Sequence, residues 1–194
     1  KKKFSVTKDC EITLEANPAA MTLEALRKLH QGGFNRISIG VQSAVDEQLK
    51  TLGRLHSAVQ ARESVELCRI AGFDNISVDL MLATPGQTED SIRTFCHTFC
   101  PVVEHISAYL LKVEEGTPFG RRHMERFCPD EERSADLYLC AVNELKQQGF
   151  KQYEISNFAK DGKYSRHNTR YWDCSEYLGI GPAAHSFWNG ERRY

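Results

Sequence analysis

Four polar side chains, far apart in the chain, end, interrupt or follow runs of apolar and β-branched residues. Glu15 closes Ile12-Thr13-Leu14, Gln42 follows Ile37–Val41, Asp79 sits inside Ile76–Leu82, and Arg54 comes soon after the second run. Strands buried on both faces of a parallel sheet should be nearly all apolar. A polar group in such a strand costs free energy unless it finds a partner. In α/β barrels the carboxyl ends of the strands form one rim, and the sites lie there. Two carboxylates, an amide and a guanidinium gathered on one rim could hold ribose hydroxyls, an amino group and a carboxylate. That set suits a small polar ligand carrying both charges. Singly, Glu15 or Asp79 reads equally well as a cap on a neighbouring loop; the four together favour a site.

A second constellation is Arg166-His167-Asn168-Thr169-Arg170-Tyr171-Trp172-Asp173, with His185 further on. A histidine beside Tyr and Trp in a loop could ligate a metal or heme, or stack on a flat ring. By composition alone, a packed loop whose Trp fills a gap is the stronger reading. Cys96 and Cys100 stand at i, i+4, a spacing open to two metal ligands on one helix face. They share that helix with Ile92, Phe95 and Phe99, and free Cys is a common core residue, so burial is expected. Gly179-Ile180-Gly181-Pro182-Ala183-Ala184 matches a GxGxxA nucleotide pattern only on paper. Such a loop must follow a strand and open a helix, and Pro182 stands against it. A tightly packed turn is expected there. Thr84-Pro85-Gly86-Gln87-Thr88 reads as a turn on the ligand rim leading to a helix N-cap.

The elements that must position these groups follow a repeat. Gly33-Phe34-Asn35-Arg36-Ile37-Ser38-Ile39, Gly72-Phe73-Asp74-Asn75-Ile76-Ser77-Val78 and Gly149-Phe150-Lys151-Gln152-Tyr153-Glu154-Ile155-Ser156 each read as helix stop, tight loop, next strand. Helices are expected from Thr22 to Gly32-Gly33, from a Ser57…Gln60 capping box to Gly72, from Thr88 through Phe99, and from Pro129-Asp130 to Gly149. On the last of these, Ala135, Tyr138, Ala141, Val142 and Leu145 are the expected apolar side. Strands are expected at about 11–17, 36–41, 76–82, 105–111 and 153–158. Alternating strand and helix means parallel β/α units. Five strands of the α/β class make a curved sheet or a partial barrel, since a full eightfold barrel needs about 250 residues. Residues 1–159 form this partial barrel, and 160–194 a loop-rich extension that begins a truncated C-terminal part. Both ends look cut.

Bulk properties narrow the function. The 194 residues carry 25 Lys+Arg against 26 Asp+Glu, which gives no electrostatic case for nucleic acid. Lys1-Lys2-Lys3 reads as a solvated end. No apolar run approaches the roughly 20 residues of a membrane span. Seven cysteines at irregular spacing argue against a disulfide framework and for a reducing cytoplasm.

Five ordered motifs carry a family resemblance: Leu14-Glu15-Ala16-Asn17-Pro18; Arg36–Ser43; Leu52-Gly53-Arg54; Val78-Asp79-Leu80-Met81 with Pro85-Gly86-Gln87-Thr88; and His105-Ile106-Ser107-Ala108-Tyr109. The chain resembles, over nearly its whole length, the radical S-adenosylmethionine family of oxygen-independent coproporphyrinogen III oxidase and its relatives. His167-Asn168-x-x-Tyr171-Trp172 resembles the HNxxYW motif of the HemW branch, the heme chaperones, and reverses the packed-loop reading. The resemblance implies a partial TIM-like (β/α) barrel, truncated at both ends, with S-adenosylmethionine bound by Glu15, Gln42, Arg54 and Asp79 against a 4Fe–4S cluster. It also implies heme bound by His167, Asn168, Tyr171 and Trp172 and passed to an acceptor protein. The alternatives are the oxidase itself, which decarboxylates a propionate-bearing tetrapyrrole by radical chemistry, and an unrelated α/β-barrel enzyme. The family's CxxxCxxC cluster motif is not in this sequence, where only Cys96-x-x-x-Cys100 stands. Its cysteines are expected upstream, so this fragment alone is not expected to assemble the cluster or do radical chemistry.

Overall fold

The computed structural model describes residues 5–194, so the reading of Lys1-Lys2-Lys3 lies outside the described residues. The chain divides into two compact units between Lys163 and Tyr164.

The first unit is a six-stranded sheet backed by helices. In chain order it contains β1 (Thr13–Ala16), α1 (Leu23–Gln31), β2 (Arg36–Gln42), α2 (Asp46–Thr51), α3 (Ala58–Ala71), β3 (Ile76–Leu82), α4 (Glu89–Phe99), β4 (His105–Leu110), the short α5 (Pro118–Arg121), α6 (Glu131–Gln147), β5 (Lys151–Gln152) and β6 (Asn157–Ala159). The sheet order is β1-β2-β3-β4-β6-β5. The first four strands run parallel, in the register Glu15–Ser38–Ser77–His105.

The helix boundaries follow local chemistry. Thr22 caps α1 by accepting from the Ala25 amide, and Ser57 and Gln60 form a reciprocal capping box on α3. Thr88 and Ser91 make another such box on α4, and Asp130 caps α6. The glycines of all three repeats take positive φ, 95° at Gly33, 108° at Gly72 and 84° at Gly149, where a Cβ would be strained. At Gly72 a Cβ would also stand 3.0 Å from the His30 ring.

The third repeat departs from the expected pattern. Residues 153–156 are not a fifth parallel strand but the turn between β5 and β6. The turn wins because the Glu154 carboxylate accepts from the Ser156 amide at 2.9 Å and from the Asn157 side chain. That local side-chain bonding outcompetes the extended chain. Tyr138 anchors the turn by donating its hydroxyl to the Ile155 carbonyl at 2.7 Å. β6 then pairs antiparallel with both β4 and β5, so the parallel partial barrel ends in an antiparallel edge.

The core lies between sheet and helices. Ile37, Ile39 and Val41 of β2, Ile76, Val78, Leu80 and Leu82 of β3, and Ile106 and Ala108 of β4 are buried with Leu26, Val65, Phe95, Phe99 and Leu145. Cys96 and Cys100 belong to this core, as expected, and the contact with Cys100, then burial, push the Cys96 thiol up. On α6, Leu137, Ala141 and Leu145 face inward while Ala135 is exposed. Tyr138 and Val142 pack against the same core, so of the expected apolar side only Ala135 is misplaced, with Leu137 inward near it instead. The parallel strands also differ from the expectation of nearly all-apolar runs. Their residues alternate strictly, Arg36-x-Ser38-x-Gly40-x-Gln42, Ser77-x-Asp79-x-Met81 and His105-x-Ser107-x-Tyr109, with apolar residues between. Successive strand residues point to opposite faces, so one face meets the helices and the other is polar.

The second unit holds α7 (Arg166–Trp172) and a hairpin of β7 (Ser186–Trp188) and β8 (Glu191–Arg193). The HNxxYW segment is thus a helix, not a loop. Ser165 caps it, its hydroxyl accepting from the Asn168 amide at 3.3 Å. Seven residues are under two turns and show no readable period. Gly179-Ile180-Gly181-Pro182 is a turn in this unit, with no helix after it. The His185 carbonyl crowds Gly179, and Ile180 is exposed. Among the described residues no helix is long and apolar enough to cross a membrane.

Candidate functional site

A cavity of about 770 Å³ opens on the polar face of the sheet in the first unit, lined among others by Glu15, Ser38, Gly40, Gln42, Arg54, Asp79 and Tyr109. The four side chains singled out by sequence therefore meet in one place. The Thr84–Gln87 turn does not line it; there the buried Gln87 amide binds Ala83 N and Met81 O, closing the turn on itself.

Gln42 is the most unusual residue of the four. It ends β2 at φ 73°, where the ladder with β3 shifts register. It is only 5 % exposed, and its Oε1 has no hydrogen-bond partner among the described residues. A non-glycine residue at positive φ costs on the order of 1 kcal/mol or more, and an unsatisfied buried amide oxygen costs about 1–3 kcal/mol. Both costs at one cavity-lining residue mark a place shaped for something else. Gly40 deepens the same cradle. A Cβ there would lie 3.1 Å from Gln42 Nε2 and 3.4 Å from Asn17 Oδ1.

Asp79 sits mid-strand on β3. Burial, then the charge of Glu15, push its carboxyl up to about 6, against the pull of a Ser107 hydrogen bond, the Arg36 charge and Ser38. The Ser38 hydroxyl lies 3.5 Å from Asp79 Oδ1. Glu15 is exposed and Arg54 half-buried, so the rim carries charge at its mouth and a perturbed carboxyl within.

Toward the amino ends of the same strands the polar face closes into a fixed network. His105, fully buried, has Nδ1 2.8 Å from the Ser77 hydroxyl and Nε2 2.8 Å from the Tyr153 hydroxyl. Burial, then the Arg36 charge, hold its pKa down near 3, so the imidazole is neutral. Arg36 is 4 % exposed, and its Nε has no partner among the described residues. Sequence reasoning singled out neither these residues nor Ser38, Gly40, Ser107 and Tyr109 as site or network candidates. The signal was present in the two-residue alternation of each strand.

The residues present match a zwitterionic, hydroxyl-bearing ligand. Orphaned Gln42 Oε1, two carboxylates and a guanidinium surround a space large enough for a small molecule. They do not match an iron–sulfur cluster. Among the described residues no three His, Cys, Asp or Glu side chains stand together as a metal site, and Cys96 and Cys100 are committed to the core.

In the second unit, His167 and Tyr171 lie one turn apart on α7. His167 Nε2 is 2.8 Å from the Tyr171 hydroxyl, and the rings meet edge to face at 5.1 Å. Tyr171 continues into an aromatic stack with Tyr177, at 4.7 Å, and Phe187 beyond it. Tyr171, Tyr177 and Phe187 wall a cavity of about 520 Å³ that also meets Arg170, Cys174, His185 and Arg192. Of the four motif residues only Tyr171 lines it; His167, Asn168 and Trp172 do not.

Comparison with known proteins places these features. A model of the radical SAM superfamily matches residues 1–99. The chain is 39 % identical over 185 residues to the heme chaperone HemW of Lactococcus lactis, covering 94 % of this chain and 49 % of that protein. It is 40 % identical over 189 residues to the heme chaperone HemW of Bacillus subtilis, with the same shares. The chain thus spans about half the length of the curated relatives it matches. Among solved structures, the radical SAM enzyme coproporphyrinogen III oxidase (HemN) of Escherichia coli superposes with a TM-score of 0.78 at 22 % identity, over 95 % of this chain and 46 % of that one. That likeness concerns the fold.

Proposed function

The chain belongs to the radical SAM superfamily, and from that footing we propose that it is the core of a heme chaperone that binds S-adenosylmethionine in its first unit and heme in its second. The observation that carries the reading is the pairing of about 40 % identity to HemW proteins with an intact His167-Asn168-x-x-Tyr171-Trp172. An unrelated barrel enzyme falls with the family match. The oxidase reading rests on fold likeness at 22 % identity alone.

In the first unit Arg54 would take the ligand carboxylate in a charge-assisted hydrogen bond. Glu15 and Asp79 would accept from its amino group and ribose hydroxyls, and Gln42 would gain the partner it lacks. S-adenosylmethionine in this superfamily serves reductive chemistry at a 4Fe–4S cluster; the described residues do not hold that cluster, and no step here is routed through it. In the second unit His167, Asn168, Tyr171 and Trp172 would organise the heme site, and the bound heme would pass to an acceptor protein. Seven cysteines, all free, fit a reducing compartment such as the cytoplasm.

Two titrations test this. Calorimetry should give saturable S-adenosylmethionine binding, weakened about 10- to 100-fold in Arg54→Ala, since a hydrogen bond to a charged group contributes about 1.5–3 kcal/mol. Hemin should give a saturable Soret shift with lower affinity in His167→Ala. Wild-type affinity in either variant removes the role given to that residue.

A further inference from the structure

The cavity of the second unit contains three kinds of chemistry that the motif alone does not supply. Its walls include an aromatic stack, Tyr171 on Tyr177 on Phe187. It carries two guanidiniums, Arg170 and Arg192, neither drawn into an ion pair among the described residues. It also carries a soft donor, Cys174, and an imidazole, His185. Cys174 follows directly on the end of α7 with φ 53°, a left-handed turn that starts the chain around the cavity.

Each group selects a different part of one ligand. Rings pack against a flat apolar face. Guanidiniums bind carboxylates in paired hydrogen bonds. Thiolate and imidazole are the usual protein ligands of heme iron. At about 520 Å³ the cavity lies within the roughly 300–1,000 Å³ range of small-molecule sites. His167, by contrast, lies outside the lining, with Nε2 turned to the Tyr171 hydroxyl.

We propose that this cavity is the seat of an iron tetrapyrrole dicarboxylate, with Arg170 and Arg192 holding its two carboxylates and the iron ligated by Cys174 or His185, while His167 is a positioning residue that sets the Tyr171 ring in the wall. The inference rests on the heme reading above and assigns the residues that would carry it. It separates two functions within the site: anchoring of the carboxylates, which needs no iron, and ligation, which does.

Three probes separate these functions in the chain itself: hemin, iron-free protoporphyrin IX, and hemin dimethyl ester, whose carboxylates are blocked. Arg170→Glu with Arg192→Glu should weaken hemin and protoporphyrin IX at least tenfold and leave the dimethyl ester within about twofold. Cys174→Ser with His185→Ala should weaken hemin and change the electron paramagnetic resonance signature of the ferric iron, while protoporphyrin IX binds as before. The single variants then say which donor is the ligand. His167→Ala should lower affinity for hemin and protoporphyrin IX alike and leave the iron signature unchanged. Equal loss of all three probes in the arginine variant would mean a structural role for the arginines and would overturn their assignment. A lost iron signature in His167→Ala, with the Cys174/His185 variant unaffected, would overturn the ligand assignment. If the wild-type chain binds none of the probes, the heme reading itself fails, an outcome distinct from both.

Discussion

Asp79 shows how the proposed binding site would weaken the fold that holds it. Its carboxyl is raised from 3.8 to about 6, first by burial and then by Glu15. A raised acid penalises the folded state wherever it is ionised. The penalty is absent below about pH 3, where both states are protonated, grows as pH rises past the unfolded value of 3.8, and is essentially complete above about pH 6. A shift of about two pH units corresponds to about 3 kcal/mol at most. Asp79→Asn should therefore raise Tm by a few degrees at pH 8, and the gain should be mostly lost by pH 4 and gone near pH 3 in parallel melts. His105 acts in the opposite sense, its stabilisation being lost as pH falls from about 6.5 through 3, but it is common to both proteins and cancels in the comparison. The same variant should bind S-adenosylmethionine at least tenfold more weakly. A variant no more stable than wild type at pH 8 would mean that Arg36, Ser38 and Ser107 already compensate the carboxylate. Residues such as Asp79, Gln42 and Glu15 were legible in the sequence because a polar group in or at the end of an apolar run has to be explained. Arg54 was legible only through its place after the second run. Cys174 and Arg192 were not legible, because their meaning lies in a cavity formed by a turn and a hairpin that no period announces.

Among the elements, those with a strong local signal were readable and those set by competition were not. The capping residues Thr22, Ser57, Thr88 and Asp130 and the glycines at positive φ fixed four helices from sequence alone. The turn at 153–156 was misread as a strand because Tyr153 and Ile155 favour extended chain, whereas Glu154 bonds locally to Ser156 and Asn157. On α6 the expected apolar side holds at Tyr138, Ala141, Val142 and Leu145, and only Ala135 was misplaced, because it is small enough to belong to either face. The true inward residue there, Leu137, is fully buried beside Ala141 and Leu145. Leu137→Ala should cost about 2–5 kcal/mol in a denaturant melt, and Ala135→Glu less than about 0.5 kcal/mol. The reverse ranking would mean that α6 turns Ala135 rather than Leu137 toward the core. The polar alternation of β2, β3 and β4 has the same lesson. A parallel strand reads as all-apolar only when helices cover both faces, and here one face is turned to a cavity.

For the molecule as a whole, the division between Lys163 and Tyr164 separates the two sets of proposed site residues. Glu15, Gln42, Arg54 and Asp79 all lie in the first unit, and His167, Asn168, Tyr171 and Trp172, with the cavity that Tyr171 lines, all lie in the second. The sequence expected the boundary at 159–160, at the end of the helical periodicity; the structure assigns β6 and Lys160 to the first unit, where the lysine Nζ donates to the Cys100 carbonyl at 2.7 Å. If each ligand is held by one unit alone, a change in one cavity should leave the other ligand's affinity intact. Arg54→Ala should weaken S-adenosylmethionine and leave hemin within about twofold, and Arg170→Glu with Arg192→Glu should do the converse. Binding free energies are linked, so a ligand that altered the other's affinity would have its own altered by the same factor. Titrating hemin with and without saturating S-adenosylmethionine, then reversing the order, reads that factor twice. Agreement near one in both orders supports independent sites. A shared factor above about threefold would mean that the two ligands bias a common conformational equilibrium, and that delivery of heme is tied to occupancy of the S-adenosylmethionine cavity.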